Sequence, residues 1–291
     1  MKRRACAVAF GMLLAASMLT SRDASALETA HGGSPPELGP AHADALIDPG
    51  MHRSWLEGSP RPFAALTLDA GYLYLRPRGH LGYGLPFNSW LGIEANPLIG
   101  RGGYGGYGGA RFALPYVDLR VGGRWFAAFR HAFLDPKESY NRLDLDSTAT
   151  PPARYYALEA EVTAAYPVGP GDVLAMGSIS MVRGVPAGSY VFEETLRVIV
   201  DPPWVWRVRG GYVFRFGSRS QHSIGPVVDI LAIPDRDDSR TVRFGPVMRI
   251  QLSRHFDVRG SFVTTLSSPD RLGLVGGDFT ELGVRYRVAT E

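Results

Sequence analysis

The sequence has 291 residues, 45% hydrophobic and 20% charged, with a formal net charge of +3, one cysteine and 35 glycines. Lys2, Arg3, Arg4 and Arg22 against Asp23 account for the positive excess, so the remainder is near neutral and a basic nucleic-acid surface is not indicated. Past the N-terminal segment no stretch approaches the roughly 18 consecutive apolar residues of a helical membrane span, and the lone Cys6 excludes a disulfide framework.

The N-terminus reads as an export signal. Met1 to Arg4 is basic, Ala5 to Thr20 is apolar, and Ala24-Ser25-Ala26 is a small-residue cleavage site. Residues 1–26 are therefore expected to be a secretory signal peptide removed after Ala26. Cys6 precedes the apolar stretch, which is not where a lipoprotein's acylated cysteine would sit. Residues 27–62 carry Gly32-Gly33, Pro35-Pro36, Pro40, Pro49, Pro60 and Pro62 with little periodicity. Proline at this density blocks helix and removes backbone donors, so the segment is expected to be a flexible arm, with a plug inside a barrel as the functional alternative. The main domain is expected over 63–291.

From there the chain alternates. The period-two pattern is clear over 64–75, weaker over 89–99, and clear again over 117–129, where Val117, Leu119, Val121, Trp125 and Phe129 oppose Asp118, Arg120 and Arg124. Residues 76–86 and the glycine-rich 100–109 read as loops, with a short strand at 111–114. Residues 134–153 form the longest loop. Strands follow at 154–166, 173–182 and 190–200, the last closed by Asp201-Pro202-Pro203.

Trp204 to Phe216 is the best strand of all. Trp204, Trp206, Val208, Tyr212, Phe214 and Phe216 alternate with Val205, Arg207, Arg209, Val213 and Arg215. Three arginines in a row of alternate positions are foreign to a buried sheet, and the length reaches the ~9–11 residues of a tilted transmembrane strand. Further strands read at 223–233, 241–252, 256–266 and 279–288. The fold class expected is all-β: an antiparallel transmembrane β-barrel of about 10–12 strands with a disordered N-terminal arm. Counting back from the C-terminus places the 134–153 loop at the same end as that terminus.

If the apolar faces point outward, the charged faces line an interior. The candidate lumen charges are Arg120, Arg124, Glu159, Glu161, Arg207, Arg209, Arg215, Arg243, Arg249, Arg285 and Arg287, accompanied by Asp69, Asp118, Asp229, Asp257, Arg259 and Glu281. Opposite charges would pair there, and a surplus of arginine along one wall would favour anions. Aromatics at strand ends, among them Tyr72, Tyr74, Tyr155, Tyr156, Tyr166, Trp204 and Phe216, suit interfacial girdles.

A signal peptide, long alternating strands, interfacial aromatics and a polar inner face together resemble bacterial outer-membrane β-barrel proteins. The resemblance is to the class and covers 63 to the C-terminus. It implies secretion through the inner membrane, residence in the outer membrane, the lipid bilayer and the barrel-assembly machinery as partners, and a narrow porin-like channel or a structural surface protein. Such barrels usually end on an aromatic, whereas Tyr286 is followed here by Arg287-Val288-Ala289-Thr290-Glu291. A soluble periplasmic β-sandwich alternates in the same way and is the alternative architecture.

Motifs for chemistry are weak, and no cofactor is expected. Gly103 to Gly108 matches G-x-G-x-x-G but lacks the following helix of a dinucleotide site. Gln221-His222-Ser223 is the one candidate for a lipid hydrolase, although adjacent strand residues face opposite ways. Asp235, Asp237 and Asp238 could gather oxygens for calcium but read better as a solvated turn. Glu159 and Glu161 are spaced as lumen charges, not as a glycosidase pair.

Overall fold

The computed structural model describes residues 59–71, 74–145, 151–217, 220–237, 239–279 and 282–290. The expected signal peptide and all but the last residues of the expected arm lie outside these, as do Tyr72, Asp238 and Glu281. The domain is a closed, antiparallel, twelve-stranded β-barrel. Its wall strands are β1 (Arg61–Gly71), β2 (Tyr74–Gly84), β3 (Trp90–Gly100), β4 (Gly103–Ala113), β5 (Val117–Ala128), β6 (Arg154–Val168) and β7 (Gly171–Arg183). After a short inner hairpin, β8 (Val191–Glu193) and β9 (Val198–Val200), the wall resumes with β10 (Trp204–Phe216), β11 (His222–Ile233) and β12 (Ser239–Gln251). The interrupted pair β13 (Phe256–Ser261) and β14 (Thr264–Ser267) makes one further wall strand, and β15 (Gly283–Ala289) closes the ring. Closure is by β15 on β1, with Leu66 opposite Val288 and Asp69 opposite Arg285. A closed ring removes the sheet edges that a sandwich would keep.

Every wall strand carries two chemically different faces. Outward lie Leu66, Leu81, Leu91, Ile93, Val121, Leu158, Val208, Ile230, Phe244 and Val284, all exposed. Aromatic residues mark both margins of this apolar belt: Tyr83, Tyr166, Phe216 and Phe256 at the end where β1 begins and β15 finishes, the terminal end, and Tyr104, Phe129, Tyr156 and Trp204 at the other end. Tyr155 does not join them. It is buried inside, because it sits on the inward set of β6 beside Ala157. Tyr74 likewise lines the interior.

The segments 76–86 and 100–109, expected as loops, fall largely within β2 and β4, and the short strand expected at 111–114 is the end of β4. In β2, Arg76, Arg78 and His80 face inward while Leu75, Leu81 and Tyr83 face outward, so charge, proline and glycine conceal an ordinary alternation. In β4 the glycines make room for rings. A Cβ on Gly109 or Gly122 would meet the Tyr107 hydroxyl at 2.5 and 2.6 Å. Tyr107 thus lies flat along the inner wall over two positions without side chains.

The 190–200 segment is not a wall strand. β8 pairs only with β9 in a two-stranded sheet of its own. Removing it from the count puts the 129–153 loop at the end opposite the termini, correcting the placement by strand counting. That end carries the long connections 129–153, 184–203 and 268–282, and the terminal end carries short turns. The one described α-helix, α1 (Arg142–Leu145), is four residues long, and no described helix is long and apolar enough to cross a membrane.

Candidate functional site

The lumen is built from the inward side chains and from what folds into it at each end. At the terminal end the turn after β2 tucks Phe87, with φ 60°, against Phe63, Trp90 and Ala113. At the loop end the β8–β9 hairpin enters the barrel. Val191, Val198 and Val200 pack on Tyr155, Val205, Leu231 and Ile233 of the wall. Phe192 and Ile199, on the opposite face, pack under Leu134, Tyr140, Leu145 and Leu272 from the long loops. Both faces of the hairpin are therefore apolar and buried, which is the sequence signal that separates it from a wall strand. A wall strand keeps one polar face.

The hairpin tip is held by polar contacts from three wall strands. Arg124 of β5 donates to Glu193 and, at 2.7 Å, to Thr195 Oγ1. Tyr155 of β6 donates to Glu193 Oε1 at 2.9 Å and accepts the Glu194 N–H at 3.1 Å. Arg243 of β12 donates to the carbonyls of Leu196 and Arg197 at 2.8 and 2.9 Å. His131 Nδ1 lies 2.5 Å from Glu194 Oε1.

The candidate lumen charges are distributed as follows. Arg120 donates to Glu161 at 3.0 Å and Arg124 to Glu159 at 3.2 Å. Arg207 grips Asp229 with two bonds of 2.7 and 2.9 Å and also reaches Asp278 at 2.8 Å. Arg209 pairs with the same two carboxylates, and Arg243 lies 3.5 Å from Asp229. Arg215 pairs with Asp172. Arg249 and Arg287 share Asp257 at 3.2 and 2.7 Å, while Arg285 binds Asp69 at 2.5 Å. Partners not singled out from the sequence include Arg78, which donates to Asp69 at 2.6 Å, Arg111, which bridges Glu94 and Asp118, Glu94 itself, Asp172, Glu193 and Asp278. Arg78 lies on a segment read as a loop and Glu193 on the segment misread as a wall strand, whereas Glu94 and Arg111 lie on the weaker strands read at 89–99 and 111–114. The alternation of Arg76, Arg78 and His80 with Leu75, Leu81 and Tyr83 was the available signal.

Between these walls lies a cavity of about 310 Å³. Eleven arginines line it against four carboxylates, Asp118, Glu161, Glu194 and Asp278. Each of the four already has a basic partner in Arg111, Arg120, His131 or the Arg207–Arg209 pair.

Two of the solved structures that match are a porin and CdiB, both at low identity and low TM-score. The chain is similar to a NanC porin, at 11% identity over 78% of this chain and 97% of that one, with a TM-score of 0.34. It is also similar to CdiB from Acinetobacter baumannii, at 10% identity over 73% of this chain with a TM-score of 0.32, and spans 40% of the CdiB chain. No family model and no curated protein sequence matches.

The other motifs resolve structurally. Gly103 to Gly108 forms part of β4. His222 accepts the Gln251 N–H at Nδ1 (3.2 Å) and meets Gln221 at Nε2 (3.3 Å), while Ser223 lines the lumen cavity. Asp235 and Asp237 flank Arg236, which is committed to Asp270 at 2.6 and 2.7 Å. Among the described residues no three His, Cys, Asp or Glu side chains group as a metal site.

Proposed function

We propose that the chain is an outer-membrane β-barrel acting as a narrow, anion-preferring passage for small solutes. The observation that carries this reading is the lumen cavity lined by eleven arginines, which exceed the four carboxylates of the lining together with Asp69, Glu94, Asp229 and Asp257 paired behind it. An excess of fixed positive charge in a confined polar space raises the local concentration of anions and repels cations. The exposed apolar belt between two aromatic margins supports a bilayer setting, and the N-terminal segment has the pattern of an export signal. No catalytic role is assigned, since His222 and Ser223 face different surroundings.

A second reading, a closed structural barrel, draws on the inserted hairpin and on Phe87 at the opposite end, which narrow the lumen from both sides. One experiment separates the two. The full-length protein is expressed, fractionated, checked for a heat-dependent gel shift and inserted into planar bilayers under a KCl gradient. Currents with a chloride-directed reversal potential support the passage. Outer-membrane location without currents leaves the structural barrel, and a soluble, unshifted protein defeats both.

A further inference from the structure

Among the described residues β14 pairs with β12 and with no other strand. On its other side β15 pairs from Gly283, opposite Arg259 of β13, and ladders with no residue of β14. Residues 276–278 lie along that side instead. Val263 and Asp278 exchange backbone hydrogen bonds of 3.1 and 2.7 Å, and Thr265 Oγ1 donates to the Gly276 carbonyl at 3.1 Å. Unladdered backbone at membrane depth is tolerated where protein buries it or where it lines a cavity.

A cavity of about 440 Å³ lies at this seam, within the usual size range of small-molecule sites. It touches Leu266, which faces outward and is 66% exposed, and also Thr241 and Thr265 on the lumen side. A cavity that reaches both faces of one strand passes round its free edge. Its outer mouth is apolar, with Leu266, Leu274 and Phe279. Its inner wall includes Arg197, which lines the lumen cavity as well. Arg197 Nη1 donates to the Val275 carbonyl at 3.0 Å, whereas its Nε is buried with no partner. Asp270, the carboxylate in the lining, is occupied by Arg236 and by the Tyr140 N–H at 3.0 Å.

We propose that the seam is a lateral binding site for a single-tailed anionic amphiphile drawn from the bilayer. The alkyl chain lies against Leu266, Leu274 and Phe279, and the anionic head accepts from the Arg197 guanidinium. The proposal rests on the membrane setting proposed above and adds a ligand class and a route of entry through the wall.

The test uses full-length protein in phosphatidylcholine vesicles, with insertion verified by heat-shifted migration, and a diazirine-bearing palmitate as probe. Photolabelling is expected to concentrate on peptides covering 264–279. The matching diazirine hexadecanol should label about tenfold less, the equivalent of one charge-assisted hydrogen bond. Arg197→Gln, which keeps a donor for the Val275 carbonyl, should bring palmitate down to the level of the alcohol. Thr264→Trp, placed at the mouth, should block both probes. Labelling spread evenly round the belt, or unchanged in both variants, overturns the site. Failure to insert at all defeats the membrane setting and the site with it, whereas insertion without seam labelling defeats the site alone.

Discussion

Arg124 on the barrel wall and Glu193 at the tip of the inner hairpin form a buried ion pair, and both side chains are almost fully shielded from solvent. The pair joins residues far apart in the chain and ties the position of the hairpin to the state of the wall. Removing one member of such a pair strands the other charge in the interior, typically at about 3–5 kcal/mol.

Glu193→Ala should therefore free the hairpin tip. The expected outcome is a lower unfolding midpoint in detergent together with larger single-channel conductance, read in planar bilayers. Wild-type conductance in a variant shown to be folded would mean that the hairpin does not limit the passage.

Arg207 and Arg209 share Asp229 and Asp278. The double variant Arg207→Gln, Arg209→Gln removes two positive charges and leaves both carboxylates under-neutralised, so the lumen turns more negative. The reversal potential under a KCl gradient should move toward potassium. An unmoved reversal potential would disconnect these arginines from permeation.

Gly122 and Gly109 accommodate the Tyr107 ring along the inner wall. Gly122→Val drives a side chain into that ring, and overpacking of this kind costs about 1–3 kcal/mol. Refolding yield, followed by the heat-dependent gel shift, should fall. Adding Tyr107→Ser should restore part of it, since the second change removes the ring and leaves the Gly108 carbonyl, 2.5 Å from a Cβ at position 122. No recovery in the double variant would place the cost of the valine elsewhere.

Tyr140 sits in the loop cap outside the wall strands, where its hydroxyl donates to the Asp135 carbonyl at 2.5 Å. Burial raises its phenol from the ordinary 10.0 to about 12. A raised folded-state value means that the protonated form is favoured in the native cap. Its stabilisation is complete below pH 10.0 and is lost as pH rises toward about 12. Phenolate absorbance and cap proteolysis should rise together in that window, and Tyr140→Phe should remove the pH dependence of the proteolysis. Cleavage that rises equally in the phenylalanine variant would point to another group.

Much of the barrel was legible in the sequence, because a strand's two faces are dictated locally. Period two puts Val208 and Phe214 on one side and Arg207, Arg209 and Arg215 on the other, whatever the rest of the chain does. The same logic covers β5, β6, β12 and β15. It failed where composition masked the period, as in β2 with its proline, glycine and histidine, and in β4 with its glycines. The expected range of about 10–12 strands includes the twelve of the ring, although the individual strands differ: β2 is absent from the expectation and the 190–200 hairpin stands in its place.

What the sequence by itself determined was a chain of long strands with an apolar and a polar face, and hence a barrel with charge inside. Only the tertiary structure decided that Val191 to Val200 lies within the barrel and not in its wall, that Arg124 meets Glu193, and that Asp278 folds in to join Arg207 and Arg209. It also decided that, among the described strands, β14 ladders with β12 alone. The physical reason is that alternation is a property of a few consecutive residues, whereas ring closure, insertion and ion pairing depend on which distant segments are brought into register.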